Sequence, residues 1–276
     1  MPSSLKGKTA LITGATGAIG SAIAYSFARE GCTLILSGRS KEKLDALTKE
    51  IPGTAAVAAD VSFESDVDAL FRDVSALDVL VCAAGTYGEI GPLSESKGAD
   101  WMRAVSTNLF GTVLCIQRAL PLLRKAAHGK IITFAGGGEG ALPNFSSYAA
   151  SKAGVLRLTE TLAKEEAFKN IDINAISPGA VKSGLTQALI AAGEEKAGTE
   201  IYQKNVQQME EGGESPEKAA ALAVFLASEA SNGLSGKNIS AVWDSWRDIP
   251  KHLKEIMESD VYASRRIKPK DRGYEW

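Results

Sequence analysis

The feature that most constrains this chain is an alternation. Short, apolar, β-prone runs are each followed by a segment of helical spacing. Residues 9–13 (TALIT) read as a strand and 19–30 as a helix. Residues 33–36 read as a strand and 41–50 as a polar helix. A third strand at 55–58 precedes 63–74, where Val67, Leu70, Phe71 and Val74 share one side. Residues 79–82 read as a fourth strand, and 99–125 as one long helical region with Pro121 near its end. Then come a fifth strand at 131–134, a long helix opened by Tyr148, and a sixth strand at 171–176. Apolar strands alternating with helices imply a parallel sheet covered on both faces. The expected fold is α/β, a Rossmann-like doubly wound parallel sheet with ligands at the carboxyl ends of the strands.

The later chain departs from that rhythm. Residues 182–213 are polar and helix-prone. Ser215-Pro216-Glu217 has the form of a helix start, a capping hydroxyl followed by proline at the first helical position. A last strand is predicted at 239–242, and an amphipathic piece around 253–257 precedes a basic end. No repeat or linker divides the 276 residues, which suit one domain at 1–242 plus a tail at 243–276. A net charge of −2 offers no basic field for nucleic acid or for an anionic membrane. Cys32, Cys82 and Cys115 lie in apolar runs without metal-ligand spacing, so no metal site is expected. The start lacks a secretory pattern and no apolar run is long enough to span a membrane, which makes the cytoplasm the expected location.

The first strand leads into Thr13-Gly14-Ala15-Thr16-Gly17-Ala18-Ile19-Gly20. Glycines allow a sharp turn and close backbone approach, and a helix N-terminus offers free N–H groups to a pyrophosphate. At the first strand–helix turn of an alternating fold, this pattern predicts dinucleotide binding. The second strand ends without the acidic residue that would take ribose hydroxyls. Arg39 stands there instead, either meeting a 2′-phosphate, which favours NADP(H) over NAD(H), or facing solvent. Asp60, followed by Val61, either accepts from the adenine amino group or caps the next helix. Tyr148 and Lys152 are one helical turn apart on the same face. An ammonium beside a phenol would lower the phenol's pKa toward the neutral range.

Taken together, the glycine loop, Asn108 and Tyr148-x-x-x-Lys152 resemble the short-chain dehydrogenase/reductase family, over about residues 6–242. Ala83-Ala84-Gly85 resembles the end of the family's Asn-Asn-Ala-Gly motif, with Cys82 and Ala83 in place of the asparagines. The run from Ser177 through Pro178, Gly179, Val181 and Ser183 resembles the turn that holds the nicotinamide half. The resemblance implies hydride transfer between nicotinamide and a carbonyl or alcohol carbon of a small molecule. It casts Tyr148 as the proton donor, Lys152 as holding the ribose hydroxyls and lowering the tyrosine pKa, and Asn108 as anchoring a water. Gly14, Thr16, Gly17, Ile19, Gly20, Cys82, Ala84 and Gly85 would also line the cofactor. Residues 184–213 would form a substrate lid, and a homodimer or homotetramer is implied.

The sequence also departs from the family. A serine is usual at the end of the fifth strand, where this chain has Ala135, Gly136, Gly137 and Gly138. Ser146 and Ser147 adjoin Tyr148 and are expected to cap its helix, while Thr133 should point elsewhere. Losing an oxyanion donor costs about 10²–10³ in rate. A backbone N–H of the glycine run, with Gly136 and Gly137 beside the substrate, or a water, could replace it. The alternative is a dinucleotide-binding regulator with little catalysis. The Gly17 spacing, with Ala18 where glycine is common, suggests more weakly a sugar-nucleotide-modifying enzyme. The tail aromatics Trp243, Trp246, Tyr262 and Trp276 could anchor a subunit contact, cover the site or pack on their own subunit.

Overall fold

A computed structural model describes residues 4–137 and 139–276. The readings made for the first three residues and for Gly138 lie outside the described residues. The chain alternates as its sequence predicts. β1 (Thr9–Thr13) leads into α1 (Ala18–Arg29), β2 (Thr33–Gly38) into α2 (Lys41–Glu50), and β3 (Ala55–Ala58) into α3 (Glu64–Phe71). β4 (Val79–Cys82) is followed by α4 (Gly98–Val105) and α5 (Gly111–Leu123), and β5 (Gly129–Phe134) by α6 (Ser146–Glu165). After β6 (Ile171–Ser177) come α7 (Gly184–Ala192), α8 (Glu194–Ala197), α9 (Thr199–Glu211) and α10 (Pro216–Ala227). β7 (Asn238–Ser240) and α11 (Leu253–Met257) complete the chain.

The strands form one parallel sheet in the order β3-β2-β1-β4-β5-β6-β7. β1 and β4 are neighbours in the sheet but not in sequence. The loops at their carboxyl ends therefore diverge to opposite faces and leave a crevice between them. Alternating side chains divide the core. Ala10, Ile12, Val79, Val81 and Ile132 face the layer that holds α1 and α10. Leu11, Leu80, Cys82, Ile131 and Ile173 face the layer that holds α3 and α5. Both faces are buried, which is why the strands read as continuous apolar runs rather than half-polar ones.

Two elements differ from expectation. The helical region predicted at 99–125 is interrupted by a π-helical stretch at Ser106–Phe110. The extra residue in that turn carries buried Asn108, whose amide bonds the backbone of Thr86, and whose own carbonyl accepts from Thr112 Oγ1 at 2.7 Å. The last strand ends at Ser240, not at 242, because Asp244 Oδ2 takes the Ser240 N–H at 2.7 Å and turns the chain away. α10 begins at Pro216 with Ser215 as its cap.

The tail packs on its own chain. Lys237 Nζ, on a nearly buried side chain, donates to the carbonyls of Ile256, Ser259 and Val261. The Asn238 N–H on the outer edge of β7 meets Tyr262 O at 2.8 Å, so the tail covers that edge. Trp246 stacks against Phe225, whereas Trp243 and Trp276 stay exposed. No helix among the described residues is long and apolar enough to cross a membrane.

Candidate active site

At the carboxyl ends of the strands lies a cleft of about 1030 Å³. Its floor at one end is the glycine loop. Gly14 has φ +65°, and a Cβ there would stand 2.5 Å from Ala84 N. The loop is thus pressed against the end of β4, and only glycine fits both the angle and the space. A Cβ on Gly17 would meet only ordinary contact, at 3.4 Å from Gly14 O, and Gly17 begins α1 with no side-chain cap. The positive end of α1 therefore opens into the cleft with its first-turn N–H groups available, an arrangement that fits a pyrophosphate.

Arg39, at the end of β2, is exposed, lines the same end of the cleft and has no ion pair among the described residues. Lys43, in the first turn of α2, lines it too. The sequence reading overlooked Lys43, although a basic residue one turn beyond Arg39 was a usable signal. Asp60 lines the cleft and does not cap α3, whose N-cap is Phe63. Asp60 Oδ1 accepts from Ser62 N at 3.0 Å and Ser62 Oγ at 2.7 Å, closing a local turn. Thr16, Ile19, Gly20 and Val61 lie on the same wall.

Ala84 and Gly85 line the middle of the cleft, but Cys82 does not. The strand's alternation turns its side chain into the α3–α5 layer, and burial holds its thiol well above the usual range. Its assignment to the cofactor wall is corrected accordingly. Cys32 and Cys115 are likewise buried, with thiols pushed up to about 12.

Tyr148 and Lys152 meet at the inner end of the cleft. The ammonium sits 5.8 Å from the Tyr148 ring centroid and donates to Phe134 O at 2.9 Å. The Tyr148 hydroxyl donates to Gly136 O at 3.0 Å. A Cβ at Gly85 would lie 3.4 Å from Asn108 Oδ1 and 3.7 Å from Lys152 Nζ, so these three residues adjoin. Asn108 is buried and does not reach the cleft. Its amide accepts from Thr86 N and donates to Thr86 O and Ser151 Oγ at 2.8–2.9 Å, tying the loop after β4 to α6.

In the free protein the Tyr148 pKa moves opposite to the expected direction. Burial, with a smaller contribution from Tyr87, raises the Tyr148 pKa above the ordinary tyrosine value. The same burial pulls Lys152 down to about 8, so the cation that should stabilise phenolate is itself penalised. Between about pH 8 and 10.5 the unfolded chain therefore holds a proton that folded Lys152 has lost, and this group's contribution to stability rises with pH there. Lys152→Met should lose that contribution, so the slope of its urea-unfolding free energy against pH should be lower than that of the unaltered protein across that window. Lys130 and Lys237, lowered by burial, add to the slope, and the three cysteine thiols, raised by burial, oppose it; both sets are common to the two proteins. Equal slopes for the two proteins would refute the assignment.

The end of β5 carries no hydroxyl into the cleft. Ala135 is buried against Leu156 and Ala175. A Cβ on Gly136 would point at Pro178 Cδ, 3.0 Å away, and one on Gly137 would strike Tyr148 Cε1 at 2.6 Å. Thr133 Oγ1 is engaged with Thr159 at 2.7 Å on the α6 side. Ser146 and Ser147 do not cap α6, whose N-cap is Phe145. Ser146 Oγ instead accepts from the Trp101 indole, and Ser147 Oγ reaches Tyr87 O. Gly136 and Gly137 do line the cleft, as do Pro178, Gly179, Val181 and Ser183. Helices α7 and α9 form its outer wall through Leu185, Leu189, Ile201 and Gln208. Glu139, which the sequence reading did not single out, also borders it, with Oε1 taking hydrogen bonds from Ser177 Oγ and Asn238 Nδ2.

Comparison with known proteins agrees with this fold. A family model for short chain dehydrogenases matches residues 8–193. Oxidoreductase asL5 of Sarocladium schorii is 36% identical over 242 residues, covering 86% of this chain and 94% of that protein. The 3-oxoacyl-[acyl-carrier-protein] reductase FabG of Thermotoga maritima is 34% identical over 244 residues, covering 85% and 96%. The crystal structure of levodione reductase superposes with a TM-score of 0.76 at 28% identity, covering 86% of this chain and 96% of that one. The chain belongs to the short-chain dehydrogenase/reductase family. It is an oxidoreductase acting on the CH–OH/C=O couple, in a family that binds a nicotinamide cofactor.

Proposed function

We propose that this chain is an NADP(H)-dependent carbonyl reductase or alcohol dehydrogenase in which Tyr148 is the general acid and base. The observation that carries the reading is one continuous cleft. It runs from the open N-terminus of α1, beside Arg39 and Lys43, to the Tyr148 hydroxyl and the Lys152 ammonium. The first end suits the phosphates of a dinucleotide and the second suits the proton chemistry of an alcohol. A bound nicotinamide exchanges hydride with the substrate carbon.

The chain's own residues do the rest. The loop at Gly14–Gly20 and the end of α1 orient the phosphates. Arg39 and Lys43 supply two cations where a 2′-phosphate would lie. Lys152, within reach of Gly85, holds ribose hydroxyls. Tyr148 is protonated at neutral pH, as any tyrosine is, and burial raises its pKa further; it stands ready to donate to an oxygen that gains charge during reduction. That oxygen would displace Gly136 O as the partner of the Tyr148 hydroxyl. Tyr87, Leu142, Phe145, Leu189 and Ile201 border this end, which suits a carbonyl on an apolar body. Helices α7–α9 serve as the lid.

Two measurements test the proposal. Titration should show NADPH binding more tightly than NADH, and Arg39→Ala should weaken NADPH by about tenfold or more while sparing NADH. Equal weakening of both cofactors would refute the NADP assignment. A panel of ketones and aldehydes should be reduced with NADPH; tight cofactor binding without turnover on any of them would refute the catalytic reading.

A further inference from the structure

We propose that the Tyr87 hydroxyl is a second hydrogen-bond donor to the substrate's carbonyl oxygen, in place of the hydroxyl that the end of β5 lacks. The proposal rests on the carbonyl-reductase reading above. It answers a specific deficit. A carbonyl that accepts hydride develops negative charge on oxygen, and Tyr148 is a single donor to it. The hydroxyls nearest in sequence are committed elsewhere: Thr133 to Thr159, Ser146 to the Trp101 indole, and Ser147 to the main chain. The backbone at Gly136 does not aim a side chain at the phenol either, since a Cβ there faces Pro178.

Tyr87 lies two residues beyond Gly85 on the loop that follows β4. Its ring stands edge-on to the Tyr148 ring, with centroids 4.7 Å apart and planes at 76°. A second edge contact, with Phe145 at 5.1 Å, also braces it. The backbone beside it is held as well. Thr86 is clamped by both ends of the Asn108 amide, and Ser147 Oγ reaches Tyr87 O. The π-helical turn that carries Asn108 thus fixes the loop from which Tyr87 enters the cleft.

The hydroxyl itself is uncommitted. Among the described residues it has no hydrogen-bond partner, and Tyr87 lines the cleft beside Tyr148. Burial raises its pKa, so it is a neutral O–H donor throughout the working range. The Tyr87 phenol also contributes to the raised pKa of Tyr148, consistent with two hydroxyls that sense each other's charge. The surrounding walls are apolar, and a donor fixed in such surroundings stabilises developing charge more strongly than water does. The division of labour conserves protons. Tyr148 transfers its proton to the new alcohol, whereas Tyr87 donates a hydrogen bond and keeps its proton.

Tyr87→Phe tests this with little risk to folding, because the ring and both edge contacts remain. The probes are cyclohexanone and acetophenone, each with NADPH. The expected result is a fall in kcat of about 10² with little change in KM, an unchanged NADPH dissociation constant and an unchanged unfolding midpoint. A kcat within twofold of the unaltered protein overturns the proposal. So does a kcat loss accompanied by weaker NADPH binding or a lower unfolding midpoint, which would mark a packing role. If the unaltered protein reduces neither ketone nor any member of the wider panel, the carbonyl-reductase reading fails and this proposal falls with it. Turnover by the unaltered protein with full kcat in Tyr87→Phe rejects the Tyr87 assignment alone.

Discussion

Tyr148→Phe is expected to lower kcat by about 10²–10⁴ while leaving NADPH affinity nearly unchanged. The substitution removes one oxygen and little else. The ring keeps its edge contact with Tyr87, and the variant forfeits one hydrogen bond, to Gly136 O at 3.0 Å. A single neutral hydrogen bond contributes about 1 kcal/mol to folding, so the variant should remain folded. In the proposed mechanism, what it loses is the proton that reaches the alkoxide. Burial holds that proton on Tyr148 well above neutrality in the free protein. In the proposed mechanism, reduction at neutral pH therefore starts from the protonated acid. Steady-state kinetics on a ketone that the unaltered protein reduces, with fluorescence titration of NADPH, measures both quantities. Retention of more than a tenth of kcat would remove Tyr148 from the role of proton donor.

Gly20→Ala is expected to cost several kcal/mol of stability and most of the cofactor affinity, through backbone rather than chemistry. A Cβ at position 20 would stand 2.2 Å from Gly14 O and 2.9 Å from Ala15 Cα. Both neighbours are main-chain atoms of the loop, so no side chain can swing aside. Relief requires α1 to move away from the loop, whose other side is pressed against Ala83 and Ala84 at the end of β4. Overpacking of a closely packed site costs about 1–3 kcal/mol, and more where backbone must shift. Native domains have only about 5–15 kcal/mol in total. α1 also packs on α10 within the same layer, so its displacement disturbs the core as well as the glycine loop. Thermal unfolding should show a midpoint lowered by about 2–4 °C per kcal/mol lost. A midpoint and an NADPH affinity both equal to those of the unaltered protein would show that the loop is looser than its packing indicates. Gly17→Ala is the contrasting variant: its Cβ meets nothing closer than 3.4 Å, so it should fold normally, with any loss confined to binding.

The contrast between these two glycines shows where sequence reading stops. Both lie in one motif, and the pattern alone treats them alike. Only the packing of α1 on its own loop distinguishes a glycine needed by the fold from one that leaves room for a ligand. The same holds for the serines beside Tyr148. Their position at a helix start suggests capping, but Trp101 and Tyr87, 45 and 60 residues away in sequence, supply their partners. The direction of the tyrosine pKa has the same origin. An i, i+4 pairing with lysine is visible in one dimension, whereas the depth of burial that outweighs it is set by β5, α6 and the loop after β4 together.

What the sequence by itself determined is the layering: short apolar runs separated by helical periods admit a buried parallel sheet and little else, because each strand must be covered on both faces. It also determined the strand–glycine–helix turn and the Tyr148–Lys152 face, since both depend on residues close together in the chain. What only the tertiary structure decided is everything that distant segments settle jointly. Asn108 clamps Thr86 through a π-helical turn, Cys82 turns away from the cleft, Lys43 joins Arg39, and Tyr87 stands edge-on to the Tyr148 ring where β5 carries no hydroxyl. Local periodicity encodes which face of an element is buried, but the partner across that face is chosen by packing between segments far apart in the chain.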